Sequence, residues 1–165
     1  MHETEEDLRE LQALLDRSHA NAGRHLRSIF SAAMRIPAAE LPAFLPGVQV
    51  LALATVTARG EPRVAPVDGL FFRARWYFGS APDSARFRHL RARPAVSATH
   101  LRGEELAVVV HGRAHELDPR APEHGAFRAY LNETYSGWDD ADWARGAPYA
   151  RIDPAAMFTF RSGMA

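Results

Sequence analysis

The spacing of apolar residues separates a helical first part of the chain from a strand-rich remainder. Residues 5–17 place four leucines on one face of a helix: Leu8, Leu11, Leu14 and Leu15. A second helix is expected from about Ala20 to Arg35, and Pro37 ends it. The segment from Pro37 to Gly47 carries three prolines, which is typical of a linker.

After Gly47 the pattern changes to short apolar and β-branched runs, which are typical of strands. Six such runs lie at residues 49–57, 63–72, 76–79, 95–101, 106–117 and 150–161, the last interrupted near Pro154. One helix follows the third run, with Asp83 as its candidate N-cap and Pro94 at its end, and another spans 122–135. A parallel sheet needs a helix between successive strands. This order therefore favours a mainly β fold, an antiparallel barrel with peripheral helices.

The fifth run alternates between two faces, as a strand does. One face carries Leu106, Val108, Val110, Gly112 and Ala114, and the other carries His111, Arg113 and His115. Gly112 within a strand predicts a bend or the close approach of another backbone. His111 and His115 would stand about 13 Å apart at a rise of ~3.3 Å per residue, so they cannot share one metal ion. No metal site is predicted.

The composition excludes several classes of function. A chain of 165 residues fits one domain, and its 20 basic residues balance 20 acidic ones, which argues against a general nucleic-acid binder. Cysteine is absent, so disulfides and thiolate ligands are excluded. All the basic residues are arginine, so a lysine Schiff base and a Gly-Lys-Ser phosphate loop are excluded too. Any bound phosphate must therefore be held by arginine, hydroxyl groups and backbone amides.

The start of the chain gives an expectation about where the protein resides. The residues from Met1 to Leu15 are charged and lack the apolar region of a signal peptide. No apolar run approaches the roughly 20 residues of a membrane span. We therefore expect a cytoplasmic protein that does not associate with a membrane.

A candidate anion site lies where the third strand ends and the next helix begins. Ser80 and Ser84 offer hydroxyl groups there, the first amides of the helix point outward, and Arg86 can add a charge-assisted bond. A phosphate monoester is the natural ligand of such a group. The same residues have a simpler interpretation, in which the serines cap the helix and Arg86 is one exposed arginine among several. The residues alone favour this simpler interpretation over the anion site.

From Val48 to about Leu117 the sequence resembles the pyridoxamine 5′-phosphate oxidase-like superfamily of FMN-binding split barrels. The resemblance is carried by short motifs in a fixed order: Val-Leu-Ala-Leu-Ala-Thr-Val-Thr from Val50, Gly60-Glu61-Pro62, Arg63 to Asp68, a strand ending at Ser80, Ser84-Ala85-Arg86, and Val110 to Ala114. It implies a six-stranded antiparallel split β-barrel of the FMN-binding type. It also implies a homodimer with cofactor sites at the interface.

The resemblance also implies which residues hold the cofactor. In that family the second strand lines the isoalloxazine ring, and the matching residues here are Arg63, Val64, Ala65, Pro66 and Val67. The hydroxyl at the end of the third strand matches Ser80, and the basic residue six positions later, usually lysine, matches Arg86. Phosphate binding by Ser80, Ser84 and Arg86 is thus favoured. His89 stands where many relatives have asparagine, and the substrate-phosphate residues have no counterparts here, so pyridoxamine phosphate oxidation itself is not expected.

These implications give one main expectation and two alternatives. The main one is an FMN-dependent oxidoreductase acting on an unknown small molecule, with a flavin-binding domain at 48–165 and a helical extension at 1–47 that packs on the barrel or on the dimer partner. One alternative is a deazaflavin-dependent reductase, whose longer anionic ligand would use Arg88 or Arg91. The other is a haem- or flavin-binding protein without turnover, its axial haem ligand one of four histidines: His89, His100, His111 and His115. No catalytic acid or base is predicted.

Overall fold

A computed structural model describes residues 2–163 of the chain. Its helices are α1 (Glu5–Ala20), α2 (Arg24–Ile29), α3 (Leu41–Phe44), α4 (Ala85–Ala92) and α5 (Gly125–Tyr135). Its strands are β1 (Val48–Val56), β2 (Pro62–Phe72), β3 (Arg75–Gly79), β4 (Ala95–Arg102), β5 (Leu106–Leu117) and β6 (Tyr149–Arg161). Each strand begins and ends within one residue of the range that the apolar and β-branched runs predict.

The strands form one closed barrel in the order β1-β2-β3-β6-β5-β4, and every neighbouring pair is antiparallel. This confirms the six-stranded antiparallel split barrel that the sequence predicts. The last strand closes the barrel between β3 and β5, so Tyr149 pairs with Gly79 although the two are distant in the chain. The Ser80 amide extends this pairing by donating to the Pro148 carbonyl at 3.3 Å. The end of β3 therefore lies against the start of β6.

The barrel interior and α1 share one apolar core. Its strand residues include Leu51, Trp76, Phe78 and Val110, and its helix residues are Leu11, Leu14 and Leu15. Ser18 of α1 accepts a hydrogen bond from the Met157 amide of β6 at 2.9 Å, which fixes the helix on the barrel. Burying one leucine side chain contributes about 1.5–3 kcal/mol, so α1 adds substantially to the stability of the barrel. The division of the chain at residue 47 stays a prediction.

A second apolar cluster lies outside the barrel, where α5 packs on β2, β3 and the start of β6. Phe127 of α5 stacks on Tyr77 with ring centroids 4.2 Å apart and meets Tyr149 edge to face at 5.5 Å. Trp138 joins the cluster after α5 has ended and is completely buried. The cluster holds the segment that follows α5 against the end of β3.

Gly112 of β5 lies where the backbone of β6 comes very close. A Cβ atom at this position would stand 2.2 Å from the Asp153 carbonyl oxygen, a distance that no side chain tolerates. The pairing of β5 with β6 shifts between His111 and Gly112, which pair with Ala156 and Pro154. The close approach predicted from the glycine is confirmed. The interruption predicted near Pro154 is a β-bulge within a continuous strand.

The helix predicted from Ala20 to Arg35 is wrong as one element. The first helix runs through Ala20 and is capped by Asn21, and α2 covers only six residues. Gly23 is the N-cap of α2, and the chain is not helical between α1 and α2. Ile29 is 44% exposed and no residue of α2 is buried, whereas Phe30 packs edge to face on Phe158 and Phe160 of β6, so the apolar stripe is not buried as one continuous helical face.

The outside of the barrel is covered unevenly. Helix α1 packs on β6, α5 packs on β2, β3 and the start of β6, and α4 contacts β1 and β5. Three large apolar side chains on the outer surface of β1, β2 and β4 nevertheless stand in solvent: Val50 at 60%, Val64 at 67% and Leu101 at 61% exposure. Within residues 2–163, no helix has the length and apolar character that crossing a membrane requires.

Candidate functional site

The first turn of α4 begins at Ser84, which is its N-cap. The Ser84 hydroxyl accepts a hydrogen bond from the Phe87 amide at 3.3 Å. The prediction that Asp83 is the N-cap is therefore wrong by one residue, because the serine takes that position. The capping role predicted as the simpler interpretation of Ser84 is present. Its hydroxyl proton stays available to donate to a ligand.

Arg86 lies in the first turn of α4 and joins three elements. Its guanidinium donates to the Ser80 hydroxyl at 3.3 Å and to the Pro66 carbonyl at 3.0 Å. It thereby brings the end of β3 and the middle of β2 to the start of α4. The predicted pair of Ser80 and Arg86 is thus in direct contact, and Ser84 adjoins it at the helix cap.

The charge of Arg86 has no acidic partner. No carboxylate lies within 4.0 Å of its guanidinium among residues 2–163, although the side chain is half-buried. Burial is the cause that lowers the pKa of Arg86, and no nearby negative charge raises it. A partly desolvated guanidinium without a counter-ion is unfavourable unless an anion binds to it.

Other arginines of α4 are already engaged by protein groups. Arg91 makes two parallel hydrogen bonds to the Glu116 carboxylate, at 2.8 and 2.7 Å, and a third bond to the Pro82 carbonyl. Arg88 donates to the Asp83 carbonyl. The two arginines that a longer anionic cofactor was expected to use therefore already have protein partners.

The predicted ring-lining strand is open to solvent over most of its length. Four of its residues are exposed, namely Arg63, Val64, Ala65 and Pro66. Arg63 pairs with Glu61 at 2.7 Å, outside the anion site. Val67 is buried in the core, so only its backbone is accessible to a ligand. Val64 and Pro66 share one side of the strand, and Arg86 contacts the Pro66 carbonyl directly.

A pocket of about 330 Å³ opens beside Ser80. It is formed by the end of β3, by one residue of β2 and by the segment between α5 and β6. Its polar and aromatic lining residues are Asp68, Ser80, Tyr135, Trp143, Arg145 and Tyr149. The volume lies at the small end of the range for organic ligand sites.

Gly79 makes room for one wall of this pocket. A Cβ atom on Gly79 would stand 2.9 Å from the Tyr149 ring, so only glycine lets that ring lie across the end of β3. The Tyr149 hydroxyl accepts a hydrogen bond from the indole N–H of Trp138 at 3.1 Å. Burial raises the pKa of Tyr149 to about 12, so the phenol is neutral throughout the physiological range.

The segment from Ser136 to Ala147 forms the other wall, and several polar contacts hold it. Asp139 accepts hydrogen bonds from Arg128 at 2.8 Å and from Asn132 at 2.8 Å, both on α5. Arg120 donates to the Ala144 carbonyl at 3.1 Å, and its guanidinium stacks over Trp138. The wall is therefore preorganised by residues that do not line the pocket.

The histidines proposed as haem ligands are dispersed over the barrel. His89 hydrogen-bonds to Thr55 at 2.9 Å and His111 to Ser97 at 2.8 Å, while His115 faces Asp153 at 3.5 Å. His100 is buried, with Nδ1 at 3.1 Å from the Val50 carbonyl. In the described part of the chain, no three metal-ligating side chains come together.

Asp68, Tyr135, Trp143, Arg145 and Tyr149 were not predicted as site residues. Asp68 could have been found, because it follows Pro66 by two positions and so projects from the same side of a strand. Tyr149 and Trp143 reach the site only because β6 pairs with β3. That pairing joins the last strand to the third, and no local pattern in the sequence predicts it.

The barrel is similar to several solved structures. A FAD-binding protein from Mesorhizobium loti is 25% identical, with a TM-score of 0.54 over 70% of this chain and 87% of that one. An F420 reductase is 22% identical, with a TM-score of 0.55 over 70% and 93%. The haem storage protein of Vibrio cholerae is 18% identical, with a TM-score of 0.56 over 68% and 86%. Similar barrels thus serve flavin, F420 and haem proteins.

No curated protein sequence matches the chain. The family model for pyridoxamine 5′-phosphate oxidase matches residues 38–160, which is most of the chain. The match spans all six strands of the barrel together with α4, and therefore includes Ser80, Ser84 and Arg86. By its sequence and its barrel, this chain belongs to the pyridoxamine 5′-phosphate oxidase family.

Proposed function

We propose that this protein binds FMN and acts as an oxidoreductase on a small organic molecule. The observation that carries the proposal is Arg86, a half-buried arginine that contacts Ser80 and has no carboxylate partner among residues 2–163. The phosphate of FMN supplies the missing negative charge. The guanidinium, the two serine hydroxyls and the first amides of α4 supply its hydrogen-bond donors.

The ring of FMN would lie along Val64 to Pro66. This stretch of β2 is exposed, and it adjoins the phosphate site because Arg86 bonds to the Pro66 carbonyl. Bound FMN would supply the redox chemistry. The residues of this chain position the phosphate at Arg86 and present an apolar strand surface to the ring. No acid or base is assigned.

A homodimer is part of this proposal. Val50, Val64 and Leu101 project from the outer surface of β1, β2 and β4 and are all at least 60% exposed. Val50 and Leu101 lie on the neighbouring strands β1 and β4, and Val64 stands four positions along the β1–β2 pair from Val50. Exposed large apolar side chains on one surface are typical of an interface. A second copy on this side would shield these residues and cover a flavin on β2, which agrees with the family's cofactor sites at a dimer interface.

The deazaflavin alternative has less support from the site. It needs further basic residues for a longer anionic tail, but Arg91 is paired with Glu116 and Arg88 with a backbone carbonyl. One phosphate group, matched to one arginine without a counter-ion, agrees better with FMN. A haem ligand would have to be His100 or a histidine that is already hydrogen-bonded to a side chain.

The absorption spectrum of the purified protein tests the proposal. We expect the absorption bands of a flavin in the purified protein and release of a molecule with the mass of FMN. If the protein is purified without ligand, we expect it to retain added FMN after gel filtration has removed the free cofactor. A protein that binds F420 but not FMN, or one with a haem absorption band, would overturn it. Analytical ultracentrifugation tests the dimer, which the V64D variant should dissociate.

A further inference from the structure

The pocket beside Ser80 contains a carboxylate without a partner. Asp68 lines this pocket and forms no hydrogen bond or ion pair with any residue in the described range 2–163. It stands on β2 opposite Val50, two positions after Pro66. Its negative charge is therefore available to a ligand that enters the pocket.

The surroundings of Asp68 are aromatic. Tyr135 and Trp143 meet edge to face at the pocket wall, with ring centroids 5.3 Å apart and ring planes at 72°. Tyr149 forms the adjoining wall. The Asp68 carboxylate and both tyrosines line the same pocket. Burial raises the pKa of each tyrosine, and the negative charge of Asp68 acts in the same direction.

The positive charges near the pocket do not cancel Asp68. Arg145 lies at the rim, paired with Asp142 at 3.3 Å, and both side chains are largely in solvent. The pKa of Arg86 is shifted by burial and not by the charge of Asp68, although both residues lie near Ser80. The pocket thus combines a small volume, aromatic walls and one uncompensated negative charge.

We propose that this pocket binds an organic cation, in which an ammonium group is carried on a small carbon skeleton. The ammonium contacts the Asp68 carboxylate and the rings of Tyr135 and Trp143, and the skeleton packs on the pocket walls. A cation gains both from the carboxylate and from the electron-rich ring faces, whereas an anion is repelled by both. An uncharged ligand of the same shape gains neither contribution.

Calorimetric titration with benzyltrimethylammonium tests the binding. We expect saturable binding of this probe, and at least tenfold weaker binding of benzoate and of benzyl alcohol. The D68N variant should lose at least tenfold in affinity and W143L should lose affinity as well. The matched control is D140N, which removes an exposed carboxylate from the segment between α5 and β6. Asp140 does not line the pocket. Equal binding of benzoate, or unchanged affinity in D68N, overturns the proposal.

The R86A variant separates this proposal from the proposed function. It should lose FMN affinity and keep the affinity for benzyltrimethylammonium, because Arg86 does not line the pocket. If the probe fails to bind to a protein that binds FMN, the cation site is wrong and the flavin site stands. If the probe binds but FMN does not, the cation site stands and the proposed flavin site is wrong.

Discussion

Arg86 and Arg91 lie five residues apart on α4 and differ in whether a carboxylate pairs with them. Arg91 is held by a carboxylate in two parallel bonds, and that pair ties α4 to β5. Arg86 is more buried, yet it contacts only a hydroxyl and a carbonyl, and no acidic side chain of residues 2–163 neutralises it. An arginine with an internal partner serves the fold. An arginine that is buried without one indicates a ligand.

The largest expected effect comes from removing the arginine that lacks a partner. Arg86→Ala should weaken FMN binding by about 1.5–3 kcal/mol, roughly 10- to 150-fold, because a charge-assisted bond to the phosphate is lost. Quenching of flavin fluorescence during titration measures the change. An FMN affinity within twofold of the parent protein would show that the phosphate binds elsewhere.

A smaller effect is expected at the hydroxyl that Arg86 contacts. Ser80→Ala removes one neutral donor to the phosphate, which should cost about 1 kcal/mol, or roughly fivefold in Kd. The same titration applies. Because Ser80 caps no helix, the melting temperature of the Ser80→Ala variant should stay near that of the parent protein. A marked fall would indicate a structural role for the Ser80 hydroxyl instead.

Ser84 should separate stability from binding. Ser84→Ala removes the N-cap of α4, and the free energy of unfolding should fall by about 1 kcal/mol, or roughly 2–4 °C in Tm. Denaturant and thermal unfolding of the protein without cofactor measure this loss. Unchanged stability would mean that the hydroxyl contributes to the ligand site alone.

The smallest effect on binding is expected at the paired arginine. Arg91→Ala breaks the bond to Glu116 but removes no group from the phosphate site, so the FMN affinity should stay within about twofold of the parent. This variant is the matched control for Arg86→Ala, since both remove one arginine from the same helix. Comparable losses of FMN affinity in the two variants would contradict the assignment of a ligand-binding role to Arg86 and a structural role to Arg91.

The sequence predicts those parts of the molecule that depend on local patterns. Apolar and β-branched runs place all six strands, and Gly112 predicts the close approach of β6 to β5. The segment from Ala20 to Arg35 shows the limit, because its apolar spacing suits one helix, whereas only its part near Phe30 packs on the barrel. Propensity and spacing do not report whether a partner surface exists.

The candidate site was predicted in part, for the same reason. Ser80, Ser84 and Arg86 lie close in sequence and could be proposed together from the start of one helix. The missing counter-ion of Arg86 depends on where every carboxylate of the fold comes to lie, which no short motif specifies. The aromatic wall at Trp143 depends on the pairing of β3 with β6.

The most direct test of the account compares FMN with riboflavin, which lacks the phosphate. The parent protein should bind FMN more tightly than riboflavin, and Arg91→Ala should preserve this preference. Arg86→Ala should remove most of the preference for FMN, leaving the part that the serine hydroxyls and the α4 amides contribute, and should leave riboflavin affinity unchanged. If Arg86→Ala weakens both ligands equally, or if the parent protein does not distinguish them, Arg86 does not hold the phosphate and the central claim is contradicted.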